Sequence, residues 1–247
     1  MKLSGNTILI TGGGSGIGRA LALRFNELGN TVIITGRHRQ SLQEAIAGRK
    51  DMHAIELDVD DAGQVAAFAQ RVTADHPQLN VLINNAGIMR FEDITKSRDL
   101  RDAEEQINTN LLAPIRLINA LIDHLQAQAD AVVVNVSSGL GFVPRVDAAT
   151  YSATKAAIHS YSESLRYQLK GRVEVIEIVP PAVQTELTAG QSTRAGYMPL
   201  SEFIDEVMSQ FAQTPTPEEI LVKRVHFLRS AERDGRFDAV LKTVNSS

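Results

Sequence analysis

Residues 7–18 read Thr7-Ile8-Leu9-Ile10-Thr11-Gly12-Gly13-Gly14-Ser15-Gly16-Ile17-Gly18. The first five are β-branched or apolar and stop at a run of glycines, which predicts a buried strand ending in a tight turn. Beyond the turn, Ile17, Ala20, Leu21, Leu23, Phe25 and Leu28 recur at helical spacing, with Gly29 as the stop. A turn this poor in side chains lets backbone N–H groups approach an anion, and the helix behind it points its positive end at the same place. Gly12, Gly14, Ser15, Gly16, Ile17 and Gly18 are therefore expected to cradle a pyrophosphate. The spacing is GxxxGxG rather than GxGxxG, with Gly12, Gly16 and Gly18 as the essential set.

Outward from this stretch the alternation repeats. Strands are predicted at 31–35, 53–57, 81–83, 131–136 and 173–179, and helices at 41–47, 62–74, within 100–126 and around 154–169. Short strands alternating with helices imply βαβ units and a parallel sheet covered on both faces. Val132, Val133 and Val134 fit a doubly covered strand because they are apolar without alternation. The expected fold is a single α/β domain, 1–247, of the doubly wound Rossmann type, with six strands in the order 3-2-1-4-5-6. Residues 186–217 show a weaker pattern with a short helical patch near Phe203–Phe211, and are expected to form a substrate-binding lid or an ordinary surface excursion.

Composition removes several function classes. The chain has 247 residues, 43% hydrophobic and 22% charged, with a net charge of −4. The slightly acidic balance argues against a nucleic-acid partner. No apolar run is long enough to span a bilayer and no secretory cleavage site follows the start, so a soluble, cytoplasmic protein without a membrane partner is expected. The absence of cysteine excludes disulfides, cysteine-ligated metals and thiol nucleophiles. His38, His53, His76, His124, His159 and His226 show no ligand spacing and read as surface or packing residues, with no metal site expected.

The second predicted strand ends in Thr35-Gly36-Arg37-His38-Arg39. Dinucleotide folds place a carboxylate here to bind the adenosine ribose; this chain offers Arg37 and Arg39 instead. A charge-assisted hydrogen bond of about 1.5–3 kcal/mol corresponds to roughly a 10- to 150-fold preference, so NADP(H) is expected over NAD(H). The alternative is a solvated basic loop. Asp58, closing the third strand, is expected to accept from the adenine amino group or to cap the helix that follows.

Tyr151 and Lys155 stand four apart, on one face of a predicted helix. A tyrosine titrates near 10 unless a cation stabilises its phenolate, and Lys155 is placed to be that cation. Upstream, the 131–136 strand ends in Ser137-Ser138, at the carboxyl end where open parallel sheets bind ligands. Ser138 can donate to a substrate oxygen.

These motifs together resemble the short-chain dehydrogenase/reductase family: the glycine turn, Asn84-Asn85-Ala86-Gly87, Asn110 in the long helix, Ser138, YxxxK, and Pro180 at a strand end. The resemblance covers residues 7–185 and implies an oxidoreductase acting on a small carbonyl or alcohol. It implies a catalytic tetrad of Asn110, Ser138, Tyr151 and Lys155, and a cofactor site including Asn84, Ala86 and Gly87. It adds Val59, Pro181 and Val183 to that site, and Thr185 as the contact of the nicotinamide carboxamide. It further implies that Tyr151 passes a proton, that Lys155 lowers the tyrosine pKa and binds the nicotinamide ribose, and that Asn110 holds a water linking Lys155 to solvent.

Two departures matter. Pro180-Pro181-Ala182-Val183-Gln184-Thr185 stands where most of the family has Pro-Gly, and resembles the subgroup named for the D-alanine-transfer operon oxidoreductase. The C-terminal part, 218–245, lacks the usual Asp-Gly-Gly ending and a convincing seventh strand. That strand contributes one interface in family tetramers, so a homodimer through the helices at 100–126 and 154–169 is expected, with a tetramer as the alternative.

Leu140, Phe142 and Val143 are expected to wall the substrate space, with Tyr197 and Met198 closing it; core packing is the alternative for Phe142. Arg90 and Arg145 could hold an acidic substrate, or be solvated surface charges. Besides an NADP(H)-dependent reductase, two functions stay open: a nucleotide-binding sensor or scaffold without turnover, and a nucleotide-sugar epimerase, which shares YxxxK but needs a larger C-terminal region.

Overall fold

Thr7–Thr11 forms β1 and Gly16–Glu27 forms α1, so three glycines and Ser15 make the whole turn between them. The computed structural model describes residues 1–246. Alternation continues through β2 Thr31–Gly36, α2 Arg39–Ile46, β3 Met52–Glu56, α3 Ala62–Asp75 and β4 Leu79–Asn84. Next come α4 Arg101–Ile107, a π turn at Asn108–Leu112, α5 Ala113–Gln126, β5 Val132–Val136, α6 Ala149–Gln168 and β6 Glu174–Val179. The chain ends with α7 Leu200–Phe211, β7 Glu219–Leu221, α8 His226–Arg229 and α9 Phe237–Val244.

All pairings are parallel, and the sheet runs β3-β2-β1-β4-β5-β6-β7. The expected strand order holds, but the sheet has seven strands rather than six. β7 is three residues long and pairs with Glu177–Val179 of β6. A strand of that length carries too little periodicity to be read from sequence.

Residues alternate across the sheet and so feed two cores. Ile8, Ile10, Val32, Ile34, Val134 and Ile176 face one side, with Leu21 and Phe25 of α1 and Phe203, Val207 and Phe211 of α7. Leu9, Ile33, Leu82, Val133 and Val175 face the other, with α3, α5 and the Tyr161–Leu165 turn of α6. The Phe25 and Phe211 rings meet edge to face at 5.5 Å, a contact worth about 0.5–1.5 kcal/mol beyond its buried area. Within 186–217, Leu200–Phe211 is thus a core helix, with Phe203 and Val207 fully buried. Residues 186–199 remain outside it, tied back by the Val183–Met198 bridge.

The long helix is interrupted for a local reason. Pro114, four residues beyond Asn110, has no N–H to give the Asn110 carbonyl, and Ala113 bonds back to Asn108 instead. The turn widens at the residue singled out as catalytic.

Candidate active site

Strand order reverses between β1 and β4, and a cavity of about 410 Å³ opens beyond the carboxyl ends of these strands. One end is lined by Arg37, His38, Ser41 and Leu42, and its flank by Leu57, Asp58 and Val59. The middle is the glycine turn with Ala86 and Gly87. The far end holds Ser138, Tyr151, Lys155 and Pro181, with Val183, Thr185, Glu186, Leu187 and Gln191 around it.

The turn suits a phosphate. No side chain caps the N-terminus of α1 and its first turn carries no acid, so its N–H groups and positive end are not neutralised from within. Asp61, not Asp58, caps α3, accepting from the N–H groups of Gly63 at 2.8 Å and Gln64 at 3.0 Å. Asp58 accepts from Asp60 N at 3.1 Å and lines the cavity.

Lys155 and Tyr151 are buried, at 5% and 6% exposure. The lysine ammonium donates to the Val136 carbonyl at 2.8 Å and lies 5.7 Å from the centre of the Tyr151 ring. Burial pushes the tyrosine pKa up to about 12, opposed by the Ser138 hydroxyl. Burial presses the lysine down to about 8, opposed by the charge of Glu177. Desolvation is the larger cause, Ser138 is the group that opposes it, and the phenol keeps its proton at neutral pH. Ser138 Oγ accepts from Leu140 N at 3.1 Å, which leaves its hydrogen for an oxygen in the cavity.

Asn110 sits just outside the lining. Its Oδ1 accepts from Ile88 N and its Nδ2 donates to Ile88 O, both at 2.9 Å, with a 3.2 Å contact to Thr154 Oγ1. This side chain is spent on clamping the loop after β4 to α6.

Several expected site residues lie elsewhere. Asn84 belongs to the sheet, donating to Asn135 Oδ1 at 2.9 Å, while Asn85 reaches the turn through Thr11 O at 2.9 Å. Strand alternation decides between the two asparagines, and Asn85 rather than the expected Asn84 meets the turn. Gly18 lies beneath the turn; a Cβ there would stand 2.5 Å from Gly12 O. Its role is to let α1 approach the strand.

Phe142 and Val143 do not wall the cavity. The Phe142 ring meets His159 edge-on at 4.7 Å under the Arg229 guanidinium at 4.5 Å, and Val143 is fully buried among Leu228, Ala231 and Val240. The 3-10 turn at Gly139–Gly141 sends the chain under the C-terminal helices. Leu140 packs with Met89, Ala148, Tyr151 and Leu187. Tyr197 stacks on Arg194 at 5.2 Å rather than lining the cavity. Arg145 is paired with Asp147 at 2.6 Å, and Arg90 is exposed.

Two supporting residues escaped the sequence reading. Thr11 Oγ1 accepts from Asn85 N and Ala86 N, both at 3.0 Å, fixing the β4 loop to the turn. Glu92 caps the N-terminus of α6 through Thr150 N, accepts from Thr150 Oγ1 at 2.9 Å, and is held by Arg98. A threonine at a strand end is a readable signal; Glu92, 58 positions from its partner, has none.

A family model described as short chain dehydrogenase matches residues 6–196. The oxidoreductase DltE of Bacillus subtilis is 39% identical, over 100% of this chain and 99% of its own. A short chain dehydrogenase from Burkholderia cenocepacia, solved with NADP, superposes with a TM-score of 0.83 at 24% identity over 98% of this chain and 99% of its own. One from Sphingobium yanoikuyae, solved with NADPH, gives 0.81 at 26% identity over 96% and 95%.

Proposed function

The chain belongs to the short chain dehydrogenase family of oxidoreductases, and from that premise we propose that it interconverts a carbonyl and a secondary alcohol with NADP(H), using Tyr151 as acid and base. The observation that carries this reading is the meeting of Ser138 from the end of β5 with Tyr151 and Lys155 of α6, at the far end of a nucleotide-sized cavity. Binding alone does not need that trio.

Gly12, Gly14, Ser15, Gly16 and Ile17 hold the pyrophosphate, Asp58 and Val59 the adenine end, and Ala86, Gly87, Pro181, Val183 and Thr185 the nicotinamide end. Arg37, exposed at one end of the cavity, favours the 2′-phosphate, which supports NADP(H) over NAD(H). Two related structures that carry NADP or NADPH lend the same support. When bound, the reduced nicotinamide supplies hydride to a carbonyl carbon. Ser138 donates a hydrogen bond to the carbonyl oxygen and Tyr151 gives it a proton; the reverse passage oxidises an alcohol. Lys155 supplies positive charge beside the phenolate that results. Asn110 fixes the Ile88 loop against α6 and so holds the lysine and the β4 loop in register.

Residues 186–199 form the lid over the substrate end, where Glu186, Leu187 and Gln191 reach the cavity. The same reading takes the protein to be a cytoplasmic homodimer joined through the segment from α4 to α5 and through α6, where Leu100 before α4, Ile107 of α4, Leu112 of the π turn and Tyr167 of α6 are exposed. β7 adds a sheet edge of the kind that joins family tetramers, and the mass in solution distinguishes a dimer from a tetramer. Among the described residues no helix is long and apolar enough to cross a membrane.

The test is a mass-spectrometric comparison of a bacterial metabolite extract incubated with the protein and NADPH, and separately with NADP⁺, against Tyr151→Phe. A pair of metabolites differing by two hydrogens and interconverted only by the native protein is expected. Tight NADPH binding with no such pair points to a sensor instead.

A further inference from the structure

A row of polar side chains crosses the sheet beneath α6. Asn84 on β4 stands opposite Asn135 on β5, Asn135 opposite Glu177 on β6, and Glu177 opposite Glu219 on β7. Two residues earlier on their strands, Leu82, Val133 and Val175 belong to the core that α6 covers, so this row faces the same helix. Asn135 Nδ2 donates to Ser162 Oγ of α6 at 2.9 Å. His159 Nδ1 lies 2.7 Å from Glu177 Oε2, and Arg229 donates to both oxygens of Glu219 at 2.9 Å.

Asn84 Oδ1 and Glu177 Oε1 are both buried without a partner, and of the two residues only Glu177 is an acid. Its side chain is fully buried, and Oε1 has no hydrogen-bond partner. A buried carboxylate with an idle oxygen is costly unless a buried positive charge answers it. On the same side of the sheet Lys155 is buried with one acceptor, the carbonyl of Val136, the residue that follows Asn135. Lys155 and His159 are four apart on α6 and so share a face of that helix. Burial and the charge of Glu177 act on the ammonium in opposite senses.

We propose that Glu177, held by His159, is the counter-charge that keeps Lys155 protonated, the two acting as positioning residues behind the Tyr151–Lys155 site. The charged and titratable groups around the pair are few. His159 meets Glu177 from α6, with Lys155 one turn earlier on the same helix, Glu219 stands beside it on β7 and Arg229 comes from α8, while β5 presents the neutral Asn135. Around Lys155 stand Tyr151, the neutral Asn110 near Gly87, and Glu177. His159, Glu177 and Glu219 have the spacing of a divalent-cation site, but Arg229 occupies Glu219 with two nitrogens and already supplies the positive charge. His159, 24% exposed, is the member of the pair in contact with solvent. Stripping it from Glu177 leaves the buried carboxylate without the imidazole that positions it.

This inference rests on the cofactor site proposed above, and its test reads binding rather than turnover. The dissociation constant of NADPH is measured by fluorescence between about pH 7 and pH 10.5, where a lysine lowered by burial loses its charge, for the native protein, Lys155→Met, Glu177→Gln, Glu177→Asp and His159→Gln. Native binding is expected to weaken on an alkaline limb that Lys155→Met removes. Glu177→Gln is expected to move that limb down by about one pH unit, His159→Gln to move it less in the same direction, and Glu177→Asp to restore much of it. A uniform loss of affinity with an unmoved limb, or a limb that survives Lys155→Met, overturns the inference and leaves the cofactor site standing. No NADPH binding by the native protein overturns both. If Glu177→Gln does not fold, the half-buried His159→Gln and the acid-retaining Glu177→Asp still decide.

Discussion

Lys155 Nζ donates to the carbonyl oxygen of Val136 at 2.8 Å, mooring α6 to the last residue of β5. Ser138 lies two residues beyond that strand end and Tyr151 one helical turn before the lysine. This hydrogen bond therefore ties the strand that carries the serine to the helix that carries the tyrosine.

Replacing Tyr151 by Phe keeps the ring in its buried seat and removes the proton. The expected result is a loss of about 10²- to 10⁴-fold or more in kcat/KM, with the NADPH dissociation constant changed less than about threefold. Steady-state kinetics beside a fluorescence titration check both, and turnover near the native rate would remove Tyr151 from its role.

Arg37→Ala tests the cofactor preference. The exposed guanidinium at the cavity's end is expected to matter for NADPH alone: its affinity falls roughly 10- to 150-fold while NADH binding is unchanged. Equal losses for both cofactors would return Arg37 to the solvated loop.

Gly13 is a packing residue inside a binding motif. A Cβ there would lie 2.5 Å from Ile34 Cβ in the core, whereas at Gly14 the nearest atom is Ser41 Cβ at 3.3 Å. Gly13→Ala is expected to cost about 1–3 kcal/mol in urea denaturation, and Gly14→Ala distinctly less; the reverse order would contradict the packing.

Phe142→Ala and Leu187→Ala separate fold from pocket. Phe142 packs between His159 and Arg229, so its loss is expected to lower Tm and leave KM for the substrate unchanged. Leu187 lines the cavity and its loss is expected to raise KM with little change in Tm.

The bond to Glu177 raises the His159 pKa above its ordinary value of 6.5, against the opposing effect of burial. The native state thus keeps a proton that the unfolded chain releases. Its stabilisation is full below the unfolded value and is lost as pH rises through the raised one. The Tm deficit of His159→Gln is therefore expected to be larger near about pH 5.5 than near about pH 8.5. A deficit that grows with pH would reverse the sign of the interaction.

Much of this was legible from the chain alone because it is local. The apolar run of β1, the glycines behind it and the helical repeat that follows lie within about twenty residues, and strand and helix periodicities repeat that unit to β6. Tyr151 and Lys155 share a helix face by spacing alone. Pro114, four residues after Asn110, is a local signal for the π turn.

Packing between distant segments decided the rest. Asn85 rather than Asn84 meets the glycine turn because one step along a strand reverses the side of the sheet, and the strand's end is set by neighbours. Phe142 and Val143 left the substrate wall because α8 and α9 fold over them, and β7 exists only because β6 supplies its partner. Sequence periodicity specifies which residues can share a face. Only closure of the sheet brings Glu177 and Glu219 to His159, or Glu92 to the start of α6, because those contacts depend on hydrogen bonds between segments whose separation no local propensity encodes.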